Sequence, residues 1–163
     1  MRSTRALATL ALLAAVSCSK KEGPIDGIGN WHIGKTRVKE GTICQPQEGG
    51  DLTWCSHNLE MVIAEHRATV DLYFRGKGED AVLVEILLAM GQPCNTEALD
   101  RWLTSKLGSA SGTRGKALVW TTKSATIAAL LPAKDGECRI HFLDPKDEKR
   151  LAELEKESGG GPP

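Results

Sequence analysis

The sequence predicts an α+β fold: a single small domain in which an antiparallel sheet of about five strands carries helices packed on one face. Three observations support this class. Two strand segments are joined by a turn, a capped amphipathic helix follows them, and three further strand segments precede a final helix. We interpret the order β-β-α-β-β-β-α as a sheet layered against helices, and we expect two disulfides to strengthen it.

The first pair of strands is predicted at residues 69–90. TVDLYFR (69–75) alternates strictly between apolar and polar residues, which is the pattern of a half-buried strand. GKGED (76–80) supplies turn-forming residues, and AVLVEILLAM (81–90) is apolar enough for a more buried strand. The pattern therefore indicates a β-hairpin. Its first strand should bury three side chains on one face: Val70, Leu72 and Phe74.

The segment CNTEALDRWLTSKLG (94–108) has the signals of a helix start and a helix end. Asn95 can cap the first turn with its side chain, and Gly108 can adopt the conformation that ends a helix. Apolar residues recur at the spacing of a single helical stripe: Leu99, Trp102, Leu103 and Leu107. An amphipathic helix that packs on the sheet is predicted here.

Three short strand segments follow this helix, at residues 116–123, 125–133 and 137–143. The last two are joined by AKDGE, whose Asp-Gly pair favours a tight turn. Asp144 and Pro145 then have the residue types of an N-cap and a first helical position, and DEKRLAELEKE continues as a helix. Because this helix has few apolar residues, we expect it to lie on the surface as a cap.

The region before residue 69 has weaker patterns. WHIGKTRV (31–38) is interpreted as a strand that leads into a short helix. EMVIAEHR (60–67) fits either a strand or a helix, and we favour the strand.

The first 17 residues have the parts of a secretory signal peptide. Arg2 and Arg5 form a positive start, and residues 6–16 are almost wholly apolar but shorter than the ~20 residues that span a membrane. Small residues then precede Cys18, and LLAAVSC resembles the lipobox of bacterial lipoproteins. The resemblance implies cleavage before Cys18 and lipidation of its thiol, with palmitate among the acyl groups. An ordinary signal peptide with an incidental cysteine is the alternative.

The same resemblance implies a location. Ser19 rather than Asp follows the cysteine, which indicates the periplasmic face of the outer membrane in a two-membrane bacterium. Loss of two arginines with the signal peptide would change the formal net charge from zero to about −2, which argues against a nucleic-acid partner. The predicted organisation is a signal peptide at 1–17, a lipidated cysteine and flexible tether at 18–29, a folded domain at 30–157 and a disordered tail at 158–163.

Lipidation of Cys18 would leave an even number of cysteines for the fold. Four cysteines permit three pairings, and an oxidising compartment favours disulfides. Cys44 and Cys55 are close in sequence, whereas Cys94 precedes the helix and Cys138 begins the last strand. We favour the pairs Cys44–Cys55 and Cys94–Cys138, of which the second would join the helix to the sheet.

Metal and phosphate chemistry have little support in the sequence. Cys55, His57 and Glu60 could supply metal ligands, but no C-x-x-C spacing occurs, so we expect no metal and no cofactor. GSASGTRGKA (108–117) approaches a phosphate-binding loop but has alanine where that pattern requires a glycine and a hydroxyl residue. It is interpreted as a loop between helix and strand.

No catalytic residue is assigned. A histidine-centred hydrolase needs an activated nucleophile and an orienting carboxylate, and no G-x-S-x-G motif is present. Among the histidines, Glu65-His66 is the best candidate for a general base, and His141 is interpreted as a surface residue on a polar strand face. The other two histidines, which carry no recognisable pattern, are His32 and His57.

Four tryptophans could contribute to the core or to a stacking surface. We expect Trp102 and Trp120 in the core. Trp31 and Trp54 flank the first cysteine region and are the candidates for a partner-binding surface.

Several short features of the mature chain resemble one class of small secreted domains. They are IGKT (33–36), two paired cysteines, a helix ending in Leu107-Gly108, and a Trp-bearing strand hairpin. Together they are similar to the BamE and beta-lactamase-inhibitor-protein class, whose members are helix-plus-antiparallel-sheet units and often lipoproteins. The resemblance implies the α+β fold stated above.

These observations predict a lipid-anchored, non-catalytic envelope protein that binds or scaffolds a protein partner. The sheet face that the helices leave open is its expected contact surface. An inhibitor or immunity lipoprotein against an exported enzyme or toxin is the alternative, and an envelope hydrolase with an unrecognised site is a third. The expected partners are the membrane, through Cys18, and a protein.

Overall fold

The computed structural model describes residues 25–38, 43–48 and 50–159, with the side chains of 56–59 left out. The predicted signal peptide and Cys18 lie outside these residues. The described strands are β1 (Gly27–Ile28), β2 (Trp31–His32), β3 (Cys44–Pro46), β4 (Leu52–Ile63), β5 (His66–Arg75), β6 (Val82–Met90), β7 (Gly112–Arg114), β8 (Ala117–Thr121), β9 (Thr126–Leu130) and β10 (Cys138–Leu143). The described α-helices are α1 (Thr96–Leu107) and α2 (Glu148–Glu157), and a short 3-10 helix covers Gly78–Asp80. Within these ranges, no helix has both the length and the apolarity to cross a membrane.

Eight of the described strands form one antiparallel sheet in the order β3-β4-β5-β6-β10-β9-β8-β7, and β1 and β2 form a separate hairpin. The predicted α+β class, with about five strands and helices on one face, is therefore wrong. The described part of the chain is mainly antiparallel β-structure. The prediction missed β1, β3 and β7 because strands of two or three residues are too short to show an alternating pattern, whereas β2 lies within the strand predicted at 31–38.

The two helices pack on opposite faces of the sheet. Successive side chains of a strand point to opposite faces, so Ile127 and Ala128 on β9 belong to different cores. The α1 side chains in the Ile127 core are Leu99 and Leu103. The α2 side chains in the Ala128 core are Leu151 and Leu154. We call these two sides of the sheet the α1 face and the α2 face.

The predicted hairpin at 69–90 and the predicted helix in 94–108 are confirmed. Strands β5 and β6 pair in antiparallel fashion, and the apolar side chains of β5 are buried on the α1 face: Val70, Leu72 and Phe74. In α1, the Ala98 N–H donates to Asn95 Oδ1 at 3.1 Å, which is the predicted N-cap. Gly108 ends the helix with a φ of 78°.

Helix α2 begins three residues later than predicted. Its N-cap is Asp147, whose Oδ1 accepts from the Arg150 N–H at 3.1 Å. Asp144 instead accepts a turn hydrogen bond from the Asp147 N–H at its carbonyl oxygen, at 2.9 Å. The helix covers apolar strand residues through Leu151 and Leu154, so these two leucines are enough to bury one side of it.

The segment from Ile25 to Val38 is a hairpin followed by turns, so the strand predicted at 31–38 is present only at Trp31–His32. The short helix was predicted to follow that strand, and residues 39–42 lie outside the described residues. Strand β1 lies within the segment predicted as a tether. The chain then attaches to the start of β6, where the Gly34 N–H donates to the Leu83 carbonyl at 2.8 Å. The Leu83 N–H donates in turn to the Thr36 carbonyl at 2.9 Å, which holds this segment against the sheet.

The strand interpretation of 60–67 is confirmed, since β4 ends at Ile63 and β5 begins at His66. The turn between them consists of Ala64 and Glu65, which have φ values of 46° and 70°. Such left-handed turns usually use Asn or Gly, which explains why the sequence pattern did not indicate this hairpin.

Two disulfides are present, in the pairing that the sequence favoured. Cys44 and Cys55 face each other across β3 and β4, with their Cα atoms 4.2 Å apart. Cys94 joins the segment before α1 to Cys138 at the start of β10, with a Cα separation of 6.0 Å. The first disulfide ties the short edge strand to the sheet, and the second ties the start of α1 to a central strand.

Candidate functional site

A partly exposed patch on the α2 face is the candidate contact surface. Trp54 on β4 lies directly opposite Tyr73 on β5, and Asp71 on β5 lies opposite Leu87 on β6. All four side chains are partly exposed. The Trp54 Nε1–H donates to Asp71 Oδ1 at 3.0 Å, so the indole is held in place by a carboxylate. We call these four residues the aromatic surface.

The phenol of Tyr73 remains a neutral hydrogen-bonding group on this surface. Burial raises its pKa, and the negative charges of Glu85 and Asp71 raise it further, against a smaller opposing effect of Arg150. The aromatic surface therefore offers two flat rings, one carboxylate and one hydroxyl, and its two aromatic residue types are enriched at protein interfaces.

Next to the aromatic surface, a buried charge network joins β6, β10 and α2. Glu85 on β6 has a side chain that is 8% exposed, and its Oε1 lies 2.8 Å from His141 Nδ1. The Arg150 Nε–H from α2 donates to both carboxylate oxygens of Glu85, at 3.0 and 3.2 Å. Arg150 Nη1 also donates to two carboxylates of its own helix, which belong to Glu153 and Glu157.

Glu85 stays ionised in this network. Burial opposes its charge and raises its pKa, but the hydrogen bond from His141 and the charge of Arg150 outweigh burial and hold the pKa below its ordinary value. Burial lowers the pKa of Arg150, but the carboxylates of Glu85 and Glu157 raise it by more. The network is therefore a stable ionic connection between the helix and the sheet.

His141 is buried, so its interpretation as a surface residue is wrong. The residue is 1% exposed because β10 is an inner strand and α2 covers this face. A carboxylate next to an imidazole is an arrangement that enzymes use, but here burial separates the imidazole from any substrate in solution. His141 Nε2 has no hydrogen-bond partner among the described residues. The observed contacts give His141 a structural role in this network.

His66 also has a structural role. Its Nδ1 lies 2.8 Å from the Ala64 carbonyl oxygen, and its Nε2 accepts from the Asn95 N–H at 2.8 Å. Both ring nitrogens are therefore engaged, so the lone pair that a general base needs is already used. The imidazole connects the β4–β5 turn to the N-terminus of α1.

The N-terminal hairpin is closed by a buried carboxylate. Asp26, with a side chain 7% exposed, accepts from His32 Nδ1 at 2.8 Å and from Lys35 Nζ. Burial raises the pKa of Asp26, but the hydrogen bonds from Lys35 and His32 lower it by more, so it lies below its ordinary value. Gly27 is required for the close approach of the two strands, because a Cβ there would lie 1.8 Å from the Trp31 carbonyl oxygen.

An apolar groove lies between this hairpin and α1, on the α1 face. Its volume is about 230 Å³, and a second hollow of about 190 Å³ adjoins it. The residues that line the larger groove are Ile25, Gly27, Ile28, Gly29, Trp102, Lys106, Leu107 and Phe142. Both hollows are lined by Ile25, Lys106 and Leu107. We call the larger one the α1 groove.

The four tryptophans have different environments. Trp120 is buried, as expected, and its Nε1–H donates to the Gly108 carbonyl at 2.9 Å. Trp102 is partly exposed at the α1 groove rather than fully in the core. Trp31 packs toward the core of the α1 face, whereas Trp54 is on the α2 face. The two predicted surface tryptophans therefore belong to opposite faces, and only Trp54 contributes to the aromatic surface.

The remaining predicted positions are Cys18, Cys55, His57 and Glu60. Cys55 is in a disulfide, so its thiolate is not available to a metal, and the His57 side chain and Cys18 lie outside the described residues. Among the described side chains, no group of three or more His, Cys, Asp or Glu residues is arranged to hold a metal. Sequence reasoning missed the Glu85 network, although a single acid within the apolar segment 81–90 was a usable signal, because a buried charge needs a partner.

No protein-family model, no curated protein and no solved structure matches this chain.

Proposed function

We propose that this chain is a lipid-anchored envelope protein that binds a protein partner through the aromatic surface and carries out no catalysis. Support for the anchor comes from the resemblance of LLAAVSC to a lipobox. Two disulfides are compatible with an oxidising compartment such as the periplasm. The proposed location is the periplasmic side of the outer membrane, on the basis of Ser19 after Cys18.

The observation that carries the binding proposal is the position of Trp54 and Tyr73. These two large aromatic side chains are direct cross-strand neighbours, and both remain partly exposed beside α2. The hydrogen bond to Asp71 limits the rotation of the Trp54 indole, so binding would cost little side-chain entropy. Tryptophan and tyrosine are also the residues most enriched in the energetically dominant parts of protein interfaces.

The test uses a photo-crosslinking amino acid in the full-length, lipidated protein in its own cells. We place it at Thr69 beside the aromatic surface, or at Thr104 on α1 as a matched control, since both threonines are exposed. We expect a protein adduct of defined mass from position 69 and none of that mass from position 104. Trp54→Ala should weaken this partner's binding by about 2 kcal/mol or more, which is roughly 30-fold in affinity. Equal adducts from both positions, or full binding by the Trp54→Ala variant, would contradict the proposal.

The captured protein also distinguishes the two forms of the hypothesis. An envelope scaffold should yield an assembly component whose own activity is unchanged on binding. An inhibitor or immunity lipoprotein should yield an exported enzyme or toxin whose turnover falls in proportion to the bound fraction. Enzyme assays of the captured protein, with wild type and Trp54→Ala in parallel, separate these outcomes.

The anchor is tested separately through Cys18. We expect wild-type protein to incorporate labelled palmitate and Cys18→Ser to incorporate none, because the substitution removes the thiol that carries the lipid. Equal labelling of both proteins would show that the lipid is attached elsewhere or that the label is not covalently bound at this position.

A further inference from the structure

The α1 groove is at the end of the domain from which the chain leads toward Cys18. Ile25 is the first described residue and also lines this groove. Six residues lie between Cys18 and Ile25, and the seven Cα-to-Cα steps span at most about 25 Å of fully extended chain. Ile25 also lines the adjoining hollow, so these two connected cavities lie where the described chain begins to lead toward the proposed anchor.

The side chains at the α1 groove have the chemistry of a bilayer interface. Trp102 is partly exposed there, and indole rings prefer the boundary between lipid headgroups and acyl chains. Ile28 and Leu107 supply partly exposed apolar surface on either side of the groove. Lys106 is exposed at its rim and can extend its ammonium group to an anionic headgroup while its methylene groups contact apolar surface.

The charges of the segment between Cys18 and Ile25 are compatible with an anionic membrane surface. Lys20 and Lys21 lie between Cys18 and Ile25 in the sequence. Glu22 is the one acidic residue of this segment, so residues 19–24 have a formal net charge of +1. The formal charge of the mature chain is slightly negative, so this positive charge is local rather than a property of the whole molecule.

We infer that the α1 groove rests on the membrane surface and takes up part of an anionic phospholipid, so that the domain has a fixed orientation on the bilayer. This inference rests on the lipid anchor of the proposed function. Trp54 lies on the opposite face of the sheet from Trp102, so this orientation directs the aromatic surface away from the bilayer. The anchor would supply attachment, and the groove would supply orientation.

The test is tryptophan quenching by lipid. Purified lipidated protein is reconstituted in vesicles of phosphatidylethanolamine and phosphatidylglycerol, in which part of the lipid carries a bromine-labelled acyl chain near the headgroup. We expect the lipid-quenched part of the emission to fall at least about twofold in Trp102→Phe, because Trp102 lines the α1 groove whereas Trp31, on the same face, does not. In Trp54→Phe, the matched control on the other face, the quenched part should equal that of wild type.

A second variant keeps Trp102 in place and the fold unchanged. Lys106→Glu reverses one exposed charge, so quenching of Trp102 should decrease in vesicles that contain phosphatidylglycerol. In vesicles of zwitterionic lipid alone, wild type and Lys106→Glu should be quenched equally and more weakly. Thermal unfolding of each variant verifies that the domain is folded.

The following outcomes of the quenching experiments would overturn the inference. Quenching that survives in Trp102→Phe and disappears in Trp54→Phe would mean that the aromatic surface faces the bilayer. The absence of lipid quenching in wild type would mean that the domain stands clear of the membrane. Palmitate labelling of the same sample separates the two proposals: labelled protein without quenching refutes only the orientation, whereas unlabelled protein refutes the anchor and, with it, this inference.

Discussion

Replacing Arg150 by methionine tests the buried network that joins α2 to the sheet. The wild-type side chain donates to both oxygens of the Glu85 carboxylate, which is 8% exposed. Methionine keeps much of the apolar length of arginine but removes the charge, so it leaves a buried carboxylate with His141 as its remaining partner. The perturbation therefore isolates the ionic contact from the packing of the helix.

The size of the effect follows from burial. Removal of one partner from a fully buried ion pair costs about 3–5 kcal/mol of folding free energy. The Arg150 side chain is 25% exposed and water can partly replace it, so we expect a loss of about 2–3 kcal/mol. For a domain of this size, that loss lowers Tm by about 10 °C.

The assay is urea and thermal unfolding at pH 7 under oxidising conditions, with Arg75→Met as the matched control. Arg75 also pairs with an α2 residue, since its Nη2 lies 3.0 Å from Asp147 Oδ2, but its side chain is 42% exposed. The control should therefore cost at most about 1 kcal/mol. If Arg150→Met is no more destabilising than Arg75→Met, the assignment of a structural role to this network is wrong.

Acid titration adds a second check on Glu85. Because its pKa is lowered in the folded state, its contribution to stability is fully present above the unfolded pKa of about 4.3 and is lost as the pH falls through the folded pKa. The stability difference between wild type and Glu85→Gln should thus shrink as the pH falls below about 4. A difference that stays constant down to pH 2 would contradict this account.

Two further predictions concern the hairpin and the second disulfide. Gly27→Ala should cost about 2 kcal/mol or more, because its Cβ would meet the Trp31 carbonyl oxygen at 1.8 Å, whereas Gly91→Ala, with no atom within 4 Å of its Cβ, should be near neutral in urea unfolding. Replacing both Cys94 and Cys138 by alanine should cost about 4 kcal/mol, since the disulfide closes a loop with a sequence separation of 44. An unchanged urea midpoint in either case would refute the corresponding argument.

Local sequence patterns were sufficient to predict the strands and helices that bury one of their faces. The alternation of residues 69–75 indicated β5 because the sheet buries every second side chain there. Helix α1 was predictable from Asn95, Gly108 and one apolar stripe, since its cap and its packing depend on neighbouring residues. The two disulfides followed from cysteine parity and from the positions of the cysteines relative to these elements.

The remainder depends on contacts between residues far apart in sequence. Strand β10 lies between β6 and β9, and this position decides which face of the sheet α2 covers. The burial of His141 follows from the position of β10. Trp54 and Tyr73 meet because of the register between β4 and β5, which the sequence pattern of either strand alone does not specify. The Ala64-Glu65 turn lacks the residues that normally indicate a hairpin, so this register was not predictable.

The position of β10 also determines when the sheet can be completed during synthesis. Strands β3 to β6 are neighbours in both sequence and space. The other edge of β6 pairs with β10, from Met90 opposite Cys138 to Glu85 opposite Leu143. A nascent chain that has not yet reached residue 138 therefore carries β6, an apolar strand, with one open edge. Open apolar edges promote association between chains. The sheet is therefore completed only after β10, the last strand of the described chain, has been synthesised. C-terminal truncations that remove β10 should aggregate.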